Sequence, residues 1–360
     1  MSTTAVDEAV LADAGGLVER LFLATIGAVE VTAVYLGVRL GLYRSLGEAR
    51  TATELADEAG IDTRYAEEWL EQQATAGLVG VVEPGDRSHR RYRLSESQSL
   101  VLADETSPFY GGALGMLLAG TGVVLPQLLD AFRTGDGISF GEYGDDVRLG
   151  QSLFNKTAFL EQLTQEWIPA LGVGPLLEAP GATAVDLGCG TGWSSIALAR
   201  AYPNLSILGI DSDEASVMDA RGNAAEAGVS DRVRFEVASA DAPLETSYDV
   251  ALYLECLHDL GHPVESLAAA RAALKPGGVV VVMDERAEEE FTPHGSPIER
   301  AFAAFSVVHC LPVGRSEPDS AATGTLFRPS VLREYAARAG FGSVEVAPIE
   351  HDMFRFYVLR

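Results

Sequence analysis

The sequence predicts an α/β chain in two parts: a doubly wound parallel sheet, preceded by a helical domain that ends in a hairpin. From Ala182 onward, short apolar runs alternate with helical stretches, which is typical of parallel strands covered by helices on both faces. In the first hundred residues, two short helices precede a strand, a turn and a returning strand. The length of 360 residues is enough for two or three domains.

Charge and composition exclude several classes of protein. The chain has 52 acidic and 26 basic residues, a net charge of −26, so its surface repels nucleic acid and anionic lipid. Hydrophobic residues make up 47% of the chain, which excludes a disordered protein. The three cysteines have no paired spacing, which favours a reducing, cytoplasmic location. Met1 to Val10 has no basic residue, so we expect no signal or transit peptide there.

The N-terminal region reads as a winged helix. Thr53 and Thr63 are predicted to cap two short helices, and Leu78–Val82 and Arg91–Leu94 to form the hairpin. The second helix carries three glutamates, which disfavours insertion into a DNA groove. We therefore expect the arginines of the hairpin to pair with the protein's own carboxylates.

Two apolar stretches need explanation. Leu17 to Leu46 is too apolar for a lone surface helix, so we expect it to pack against another subunit. Thr106 to Leu129 has no charge and is long enough to span a membrane, but five glycines and Pro126 interrupt it. No basic residue flanks it closely, so we predict a buried, glycine-broken helical pair and no membrane association.

The second half of the chain carries the strands. The predicted strands of the parallel sheet are Thr183–Leu187, Ser206–Ile210, Val233–Val237, Tyr248–Leu254 and Val279–Met283. Ser343 to Pro348 and Phe354 to Leu359 are predicted to form an antiparallel hairpin at the edge of the sheet. The predicted domains are therefore 1–100, a winged-helix domain; 101–175, a helical linker region; and 176–360, the α/β domain.

The strongest motif is VDLGCGTG at 185–192, where a strand ends and a helix begins. Gly188 and Gly190 allow a tight turn and the close approach of a ligand, and the helix N-terminus offers N–H groups. The spacing is G-x-G-x-G, whereas a pyrophosphate-binding loop has G-x-G-x-x-G, and Asp186 precedes the loop inside the strand. An acid there suits a ligand that carries a positive amino group.

Further acids follow the next two strands. Asp211 ends the second strand, where its carboxylate can accept hydrogen bonds from both hydroxyls of a ribose. Asp241 and Ala242 follow the third strand, where a carboxylate can accept one from the exocyclic amine of adenine. An amino group, a ribose and an adenine together are the parts of S-adenosylmethionine.

With these motifs in order between about 182 and 286, the chain resembles the class I S-adenosylmethionine-dependent methyltransferases. Its order of parts resembles the small-molecule O-methyltransferases, whose winged helix is a dimerisation domain. The resemblance implies a Rossmann-like sheet of seven strands with the last antiparallel, S-adenosyl-L-methionine as cofactor, a small-molecule acceptor and a homodimer. It also implies cofactor contacts: Gly188 and Gly190 at the methionine part, Asp186 near its amino group, Asp211 and Ser212 at the ribose, and Asp241 and Ala242 beside the adenine.

The resemblance also implies a catalytic base. His258–Asp259, after the fourth strand, matches the His-Asp pair that supplies the general base in plant-type O-methyltransferases. Imidazole suits this task because its pKa is near neutrality. Family members orient that imidazole with a carboxylate after the fifth strand; Asp284 and Glu285 occupy the region here, and Glu285 is the candidate.

The chain departs from the family in two respects. Leu254 or Glu255 occupies the region of a family lysine, and the second supporting glutamate has no clear counterpart around Thr325–Arg328. His258 and His262 are spaced for metal ligation, with His309 and Cys310 as further ligands, but nothing fixes their geometry, so we predict no metal.

The sequence therefore predicts a cytoplasmic methyltransferase that acts on a small molecule, with oxygen the favoured acceptor atom. N- or C-methylation is the alternative within the class, and a winged-helix regulator that binds S-adenosylmethionine as an effector is the alternative outside it. A helix upstream of the glycine loop brings Phe154, Asn155, Phe159 and Trp167 as further candidates for contact with cofactor or acceptor.

Overall fold

The structure is a computed structural model that describes residues 7–245 and 247–360. The sequence predicts no signal or transit peptide in Met1 to Val10, and most of that segment, residues 1–6, lies outside the described residues. The chain divides into two compact units, Met1–Ala119 and Gly120–Arg360. The domain boundaries at 100 and 175 stay predictions.

The N-terminal unit has the predicted winged-helix pattern, with β1 and β2 antiparallel. Its elements are α1 (Glu8–Arg39), α2 (Leu42–Ser45), α3 (Ala52–Ala59), α4 (Thr63–Thr75), β1 (Gly80–Glu83), β2 (Arg91–Arg93), α5 (Glu96–Leu102) and the start of α6 (Gly112–Val123). The predicted caps are wrong by one or two residues. Thr51 caps α3 in a reciprocal pair with Glu54, and the Asp62 carboxylate caps α4 by accepting two backbone N–H groups.

The arginines of the hairpin pair with acids of the two preceding helices. The guanidinium groups of Arg87 and Arg90 lie 2.8 and 2.9 Å from the Glu71 carboxylate, and that of Arg91 lies 2.9 Å from Glu54. These pairs are accessible to solvent, so screening leaves them little effect on stability. Their consequence is electrostatic, because the acids neutralise the basic cluster, as the sequence predicted.

Helix α1 leaves a long apolar surface uncovered. Leu21 and Phe22 are 67% and 64% exposed, and the buried residues of α1 are Val34 and Gly37 near its end. By length and composition, this helix of 32 residues is apolar enough to cross a membrane, with a mean hydropathy of 1.9 in its most apolar window. A core helix or a signal sequence passes the same test, so composition alone does not decide between these environments.

The uncharged stretch forms two helices, as predicted, α6 and then α7 (Leu125–Thr134). The predicted burial is wrong for α7. Leu125 and Leu129 are more than half exposed, because α7 packs through Leu128 alone among its residues. Together the two helices also pass the length and composition test as a bent pair.

The C-terminal unit contains the main sheet and its covering helices. Its remaining helices are α8 (Gly144–Ala158), α9 (Ile168–Leu171), α10 (Gly174–Glu178), α11 (Trp193–Ala201), α12 (Glu214–Glu226), α13 (Pro263–Ala272), α14 (Pro297–Phe305), α15 (Leu311–Gly314) and α16 (Pro329–Arg338), with π-helical segments Phe159–Trp167 and Ser306–Cys310 and 3₁₀ turns Phe140–Tyr143 and Leu257–Asp259. Its strands are β3 (Thr183–Leu187), β4 (Ser206–Asp211), β5 (Val233–Val237), β6 (Tyr248–Leu254), β7 (Leu274–Glu285), β8 (Val344–Val346) and β9 (Phe354–Leu359).

The seven-stranded sheet confirms the predicted fold. Its order is β5-β4-β3-β6-β7-β9-β8. Strand β9 runs in the direction opposite to the other six strands. The direction of strand order reverses between β3 and β6, which opens a crevice at their carboxyl ends, where open α/β sheets bind ligands.

Both faces of this sheet are covered by core. Along β7, Val279 and Val281 pack into one apolar cluster, and Val280 and Val282 pack into the other. All four side chains are fully buried, which explains why the central strands are continuously apolar.

Candidate functional site

A cavity of about 330 Å³ lies at the carboxyl ends of β3, β4 and β6. Its volume is at the lower end of the range of small-molecule sites. Its lining includes the glycine loop Gly188–Thr191, Asp211 and Ser212 after β4, Leu254–Cys256 and Asp259 after β6, and Gln151, Ser152, Asn155 and Phe159 from the helical segments before the sheet. Phe154 and Trp167 are not among the lining residues, and Trp167 packs against Phe356 in the core.

The glycine loop needs its glycines for two different reasons. Gly188 has φ +73°, and a Cβ there would lie 2.7 Å from the Cβ and Sγ atoms of Cys256. Gly190 has φ +50°, but a Cβ there would meet no atom within 4 Å. Gly188 is therefore required by packing, whereas the space beside Gly190 is open toward the cavity and can admit a ligand.

Asp211 is held rigidly at the end of β4. Its carboxylate accepts the Gly190 N–H at 2.8 Å and the Asp213 N–H at 2.9 Å. Burial raises the pKa of Asp211, and the backbone donors oppose that rise. Each carboxylate oxygen has a further lone pair, so two vicinal hydroxyls can donate to it from the cavity.

Asp186 lies beneath the loop and does not line the cavity. Its carboxylate accepts hydrogen bonds from Ser194 Oγ at 2.6 Å and Ser195 Oγ at 2.7 Å. Burial raises the pKa of Asp186 to about 6, although the two serines oppose that rise. In this geometry the side chain ties β3 to the start of α11.

The turn after β5 brings other residues to the cavity than the predicted pair. Ser239 and Ala240 line it, but Asp241 and Ala242 do not. The Asp241 carboxylate accepts a hydrogen bond from Ser239 Oγ, and the Ala242 N–H donates to the Ser239 carbonyl at 3.1 Å.

His258 lies in a buried cluster of carboxylates. Its Nδ1 is 2.7 Å from Asp284 Oδ1 and 2.9 Å from Glu285 Oε2, and its Nε2 is 3.3 Å from Asp259 Oδ1. Burial lowers the pKa of His258, but Asp284, Glu285 and Asp259 outweigh burial and raise it well above its ordinary value. The surrounding acids therefore favour the protonated form of the ring, and of the predicted catalytic residues only Asp259 lines the cavity.

The carboxylates of this cluster differ in ionisation. Burial opposes the charge on Asp284, yet the imidazolium of His258 holds its pKa below the usual range. For Glu285, burial and the neighbouring Asp284 raise the pKa well above the usual range despite His258. The predicted orienting residue Glu285 does contact Nδ1, but Asp284 is closer and carries the charge.

Within the part of the chain that the structure describes, two sets of side chains have metal-ligand spacing, with the ligand atoms of each set within 4.8 Å of one another. They are His258 with Asp259 and Cys310, and His258 with Asp284 and Glu285. A protonated ring has no lone pair for a metal, and the absence of a metal stays a prediction.

Sequence reasoning missed the role of Glu255 as a cavity residue. It follows β6 directly, has φ +62° and lines the cavity. Burial raises its pKa to about 7, against the effect of His258. The departure from the family lysine was the only signal in the sequence, and it does not say which way a side chain at this position points.

The antiparallel β9, the glycine loop after β3, the acid after β4 and the cavity at the switch point together define a methyltransferase of the S-adenosylmethionine-dependent class. Comparison with known proteins agrees. Residues 178–310 match a family model described as "Methyltransferase domain", and residues 27–104 match one described as "Rv2258c-like winged HTH domain". The chain therefore has a methyltransferase domain preceded by a winged-helix domain, and it is an S-adenosylmethionine-dependent methyltransferase.

Individual relatives cover most of the chain. The mitomycin biosynthesis 6-O-methyltransferase of Streptomyces lavendulae is 26% identical over 335 residues, covering 90% of this chain and 91% of that protein. Among solved structures, the mitomycin 7-O-methyltransferase has a TM-score of 0.69 at 21% identity, covering 97% of this chain and 99% of its own. Human N-acetylserotonin methyltransferase in complex with S-adenosylmethionine has a TM-score of 0.67 at 18% identity, covering 100% and 99%. These structures share the fold.

Proposed function

We propose that this protein transfers the methyl group of S-adenosylmethionine to an oxygen atom of a small organic molecule. The observation that carries the proposal is the cavity itself, which the glycine loop and Asp211 line together with the acids Glu255 and Asp259. A relative named mitomycin biosynthesis 6-O-methyltransferase and a solved structure named mitomycin 7-O-methyltransferase, each matched over 90% or more of this chain, support oxygen as the acceptor atom.

The cofactor part of the proposal rests on fixed groups. Asp211, with Ser212 beside it, holds the ribose hydroxyls, and Gly188 and Gly190 admit the methionine part. Support comes from the N–H donors that orient the Asp211 carboxylate and from the open space beside Gly190. Asp241 and Ala242 as adenine neighbours, and Asp186 near the amino group, remain predictions.

The chemical step is a displacement at the methyl carbon. Bound in one cavity, the two reactants are aligned, and loss of the acceptor proton makes the oxygen nucleophilic. We propose that Asp284 and Glu285 orient His258 through Nδ1 and that His258 in turn holds Asp259 at the cavity. The general-base role predicted for His258 stays a prediction; it requires the ring to lose a proton that three carboxylates stabilise.

We also propose a cytoplasmic homodimer that forms through α1. The exposed side chains along this helix, including Leu17, Leu21 and Phe22, would be covered by the same helix of a second copy. Light scattering should report a dimer, and Leu21→Glu should weaken it. A monomeric wild type that partitions into vesicles would instead favour a membrane-bound helix.

The function is tested with purified protein, S-adenosylmethionine and matched panels of hydroxyl and amine acceptors. We expect methylated hydroxyl products, detected by mass, with formation of S-adenosylhomocysteine. Asp211→Ala should weaken S-adenosylhomocysteine binding by about 1.5–3 kcal/mol, roughly 10–150-fold, because a charged hydrogen-bond acceptor is lost. Exposed Asp231 provides the matched control, Asp231→Ala.

Two outcomes would contradict this proposal. Turnover of the amine panel alone would assign the enzyme to N-methylation. Tight S-adenosylhomocysteine binding with no turnover, together with sequence-specific DNA binding, would favour the regulator alternative.

A further inference from the structure

Glu255 combines a disfavoured backbone conformation with a buried acid. Its φ of +62° lies in the left-handed region, which a glutamate rarely adopts. Its N–H donates to the Met283 carbonyl at 2.7 Å, so the residue remains attached to β7 after β6 has ended. Such a conformation persists only when its surroundings enforce it, and it occurs most often at functional sites.

The carboxylate of Glu255 lacks a full set of partners. Among the described residues, its Oε2 atom is buried and has no hydrogen-bond partner. The other recognised polar contact of the side chain is with Asn155, which also lines the cavity. Because buried acceptors are nearly always satisfied, a donor from a ligand in the cavity is the natural partner for Oε2.

The position of Glu255 relates this carboxylate to the reacting centre. The next residue, Cys256, donates its thiol to the Leu187 carbonyl at 2.9 Å and fills the space beside Gly188. Glu255 is therefore adjacent in sequence to Cys256, whose side chain packs on the glycine loop. We propose that this loop holds the methionine part of the cofactor.

We propose that Glu255 is a catalytic residue that accepts the proton of the acceptor hydroxyl; this role rests on the proposed function. The O–H bond of the acceptor breaks and its proton passes to Glu255 Oε2. The oxygen forms a bond to the methyl carbon, and the bond from that carbon to sulfur breaks with its electron pair remaining on sulfur. The products are the methyl ether, S-adenosylhomocysteine and protonated Glu255, which releases its proton to solvent after product leaves.

The surroundings of Glu255 suit this task. Burial raises its pKa, the cation of His258 and the amide of Asn155 lower it, and Asp284 on β7 and Asp259 in the 3₁₀ turn raise it, which together give a pKa of about 7. At neutral pH the group is therefore partly ionised, and it is a stronger base than an ordinary carboxylate.

The other acids that line the cavity suit the task less well. Asp259 also faces it, but although burial opposes its ionisation, His258 holds its pKa below the usual range, which makes it a weak base. Asp211 is already engaged by two backbone N–H groups.

The test compares Glu255→Gln with Glu161→Gln, an exposed glutamate outside the cavity. Each full-length variant is assayed for kcat across pH, for S-adenosylhomocysteine affinity by calorimetry and for thermal unfolding. We expect Glu255→Gln to lower kcat by about 10²–10⁴-fold and to lose the rising limb near pH 7, with affinity unchanged. Glu255→Ala should regain part of its kcat when formate is added, because formate can occupy the vacated space.

An infrared titration of the protein without cofactor gives a readout that does not depend on activity. We expect a protonated carboxyl band that titrates near pH 7 in wild type and in Glu161→Gln and that is weaker in Glu255→Gln, where Asp186, with a pKa of about 6, remains. Absence of that band from wild type would overturn the proposal.

The kinetic outcomes separate this proposal from the proposed function. If wild type methylates hydroxyl acceptors and Glu255→Gln keeps its kcat and pH limb, the role of Glu255 is overturned and the proposed function stands. A Glu255→Gln variant that loses S-adenosylhomocysteine affinity makes Glu255 a cofactor ligand and also overturns the role. A wild type that methylates no hydroxyl acceptor overturns both.

Discussion

We propose that the cofactor binds beside one group of acids and the acceptor beside another. The buried acids of these two groups are stabilised differently. Asp186 and Asp211 receive hydrogen bonds from serine hydroxyls and backbone N–H groups. On the other side, Glu255 Oε2 and Asp284 Oδ2 are buried without a hydrogen-bond partner among the described residues, while Asp259 and Glu285 lie against the His258 ring. The first arrangement is complete before a ligand arrives, whereas the second depends on one histidine and on groups that a substrate can bring.

Removing that histidine should be the most damaging change. His258→Ala leaves Asp284 and Asp259 buried without their cation, which we expect to cost about 3–5 kcal/mol of unfolding free energy. Chemical denaturation should show this loss, and His294→Ala, at an exposed histidine, should show none. A variant of unchanged stability would mean that the carboxylates do not depend on the ring.

The same variant separates the two candidate bases. If Glu255 takes the proton, a rising pH limb survives in His258→Ala but moves to higher pH, because the cation that lowers the pKa of Glu255 is gone, and kcat falls. If His258 is the base, as the sequence predicts, the wild-type limb lies well above pH 6.5, since its pKa is raised, and it disappears in the variant.

A smaller effect should distinguish the two glycines of the loop. Gly188→Ala combines a positive φ with a contact at 2.7 Å to Cys256, and we expect it to destabilise the fold by about 2–3 kcal/mol. Gly190→Ala meets open space, so its strain should be nearer 1 kcal/mol, with the larger effect on S-adenosylhomocysteine affinity. Thermal unfolding and calorimetry on both variants test this, and equal destabilisation would contradict the difference in packing.

The smallest expected effect is on the pH dependence of stability. The pKa of His258 is raised in the folded state, so its stabilisation is complete below the unfolded pKa of about 6.5 and is lost as pH rises through the folded value. Wild type should therefore lose unfolding free energy on the alkaline side, and His258→Ala should flatten that slope. Parallel slopes for the two proteins would assign the alkaline loss to other groups.

The fold and the cofactor side were the more predictable parts of this molecule. Parallel strands bring their carboxyl ends to one edge, so glycines after β3 and Asp211 after β4 must meet, whatever the helices do. The motif also requires a position without a side chain beside the ligand, and the glycine at position 190 can be read directly from the sequence.

The acceptor side depends on tertiary details that leave no local pattern. Glu255 follows a strand as many surface acids do, and its burial depends on the 3₁₀ turn after it and on α8. The same limit applies to the residues predicted beside the adenine. Asp241 and Ala242 do not line the cavity, because the turn after β5 brings Ser239 and Ala240 to the lining instead. Turn geometry of this kind is set by packing and not by residue type.

The place of β9 in the sheet has a consequence for biosynthesis. Phe354 and Arg355 pair with Glu285 and Asp284, so the last strand in chain order fixes the two carboxylates that contact His258. Until residues 354–359 have left the ribosome, β7 has an open edge, and Asp284 and Glu285 lack the strand that pairs with them. A chain without that strand should therefore have a disordered His258 cluster and be prone to aggregation at the exposed edge.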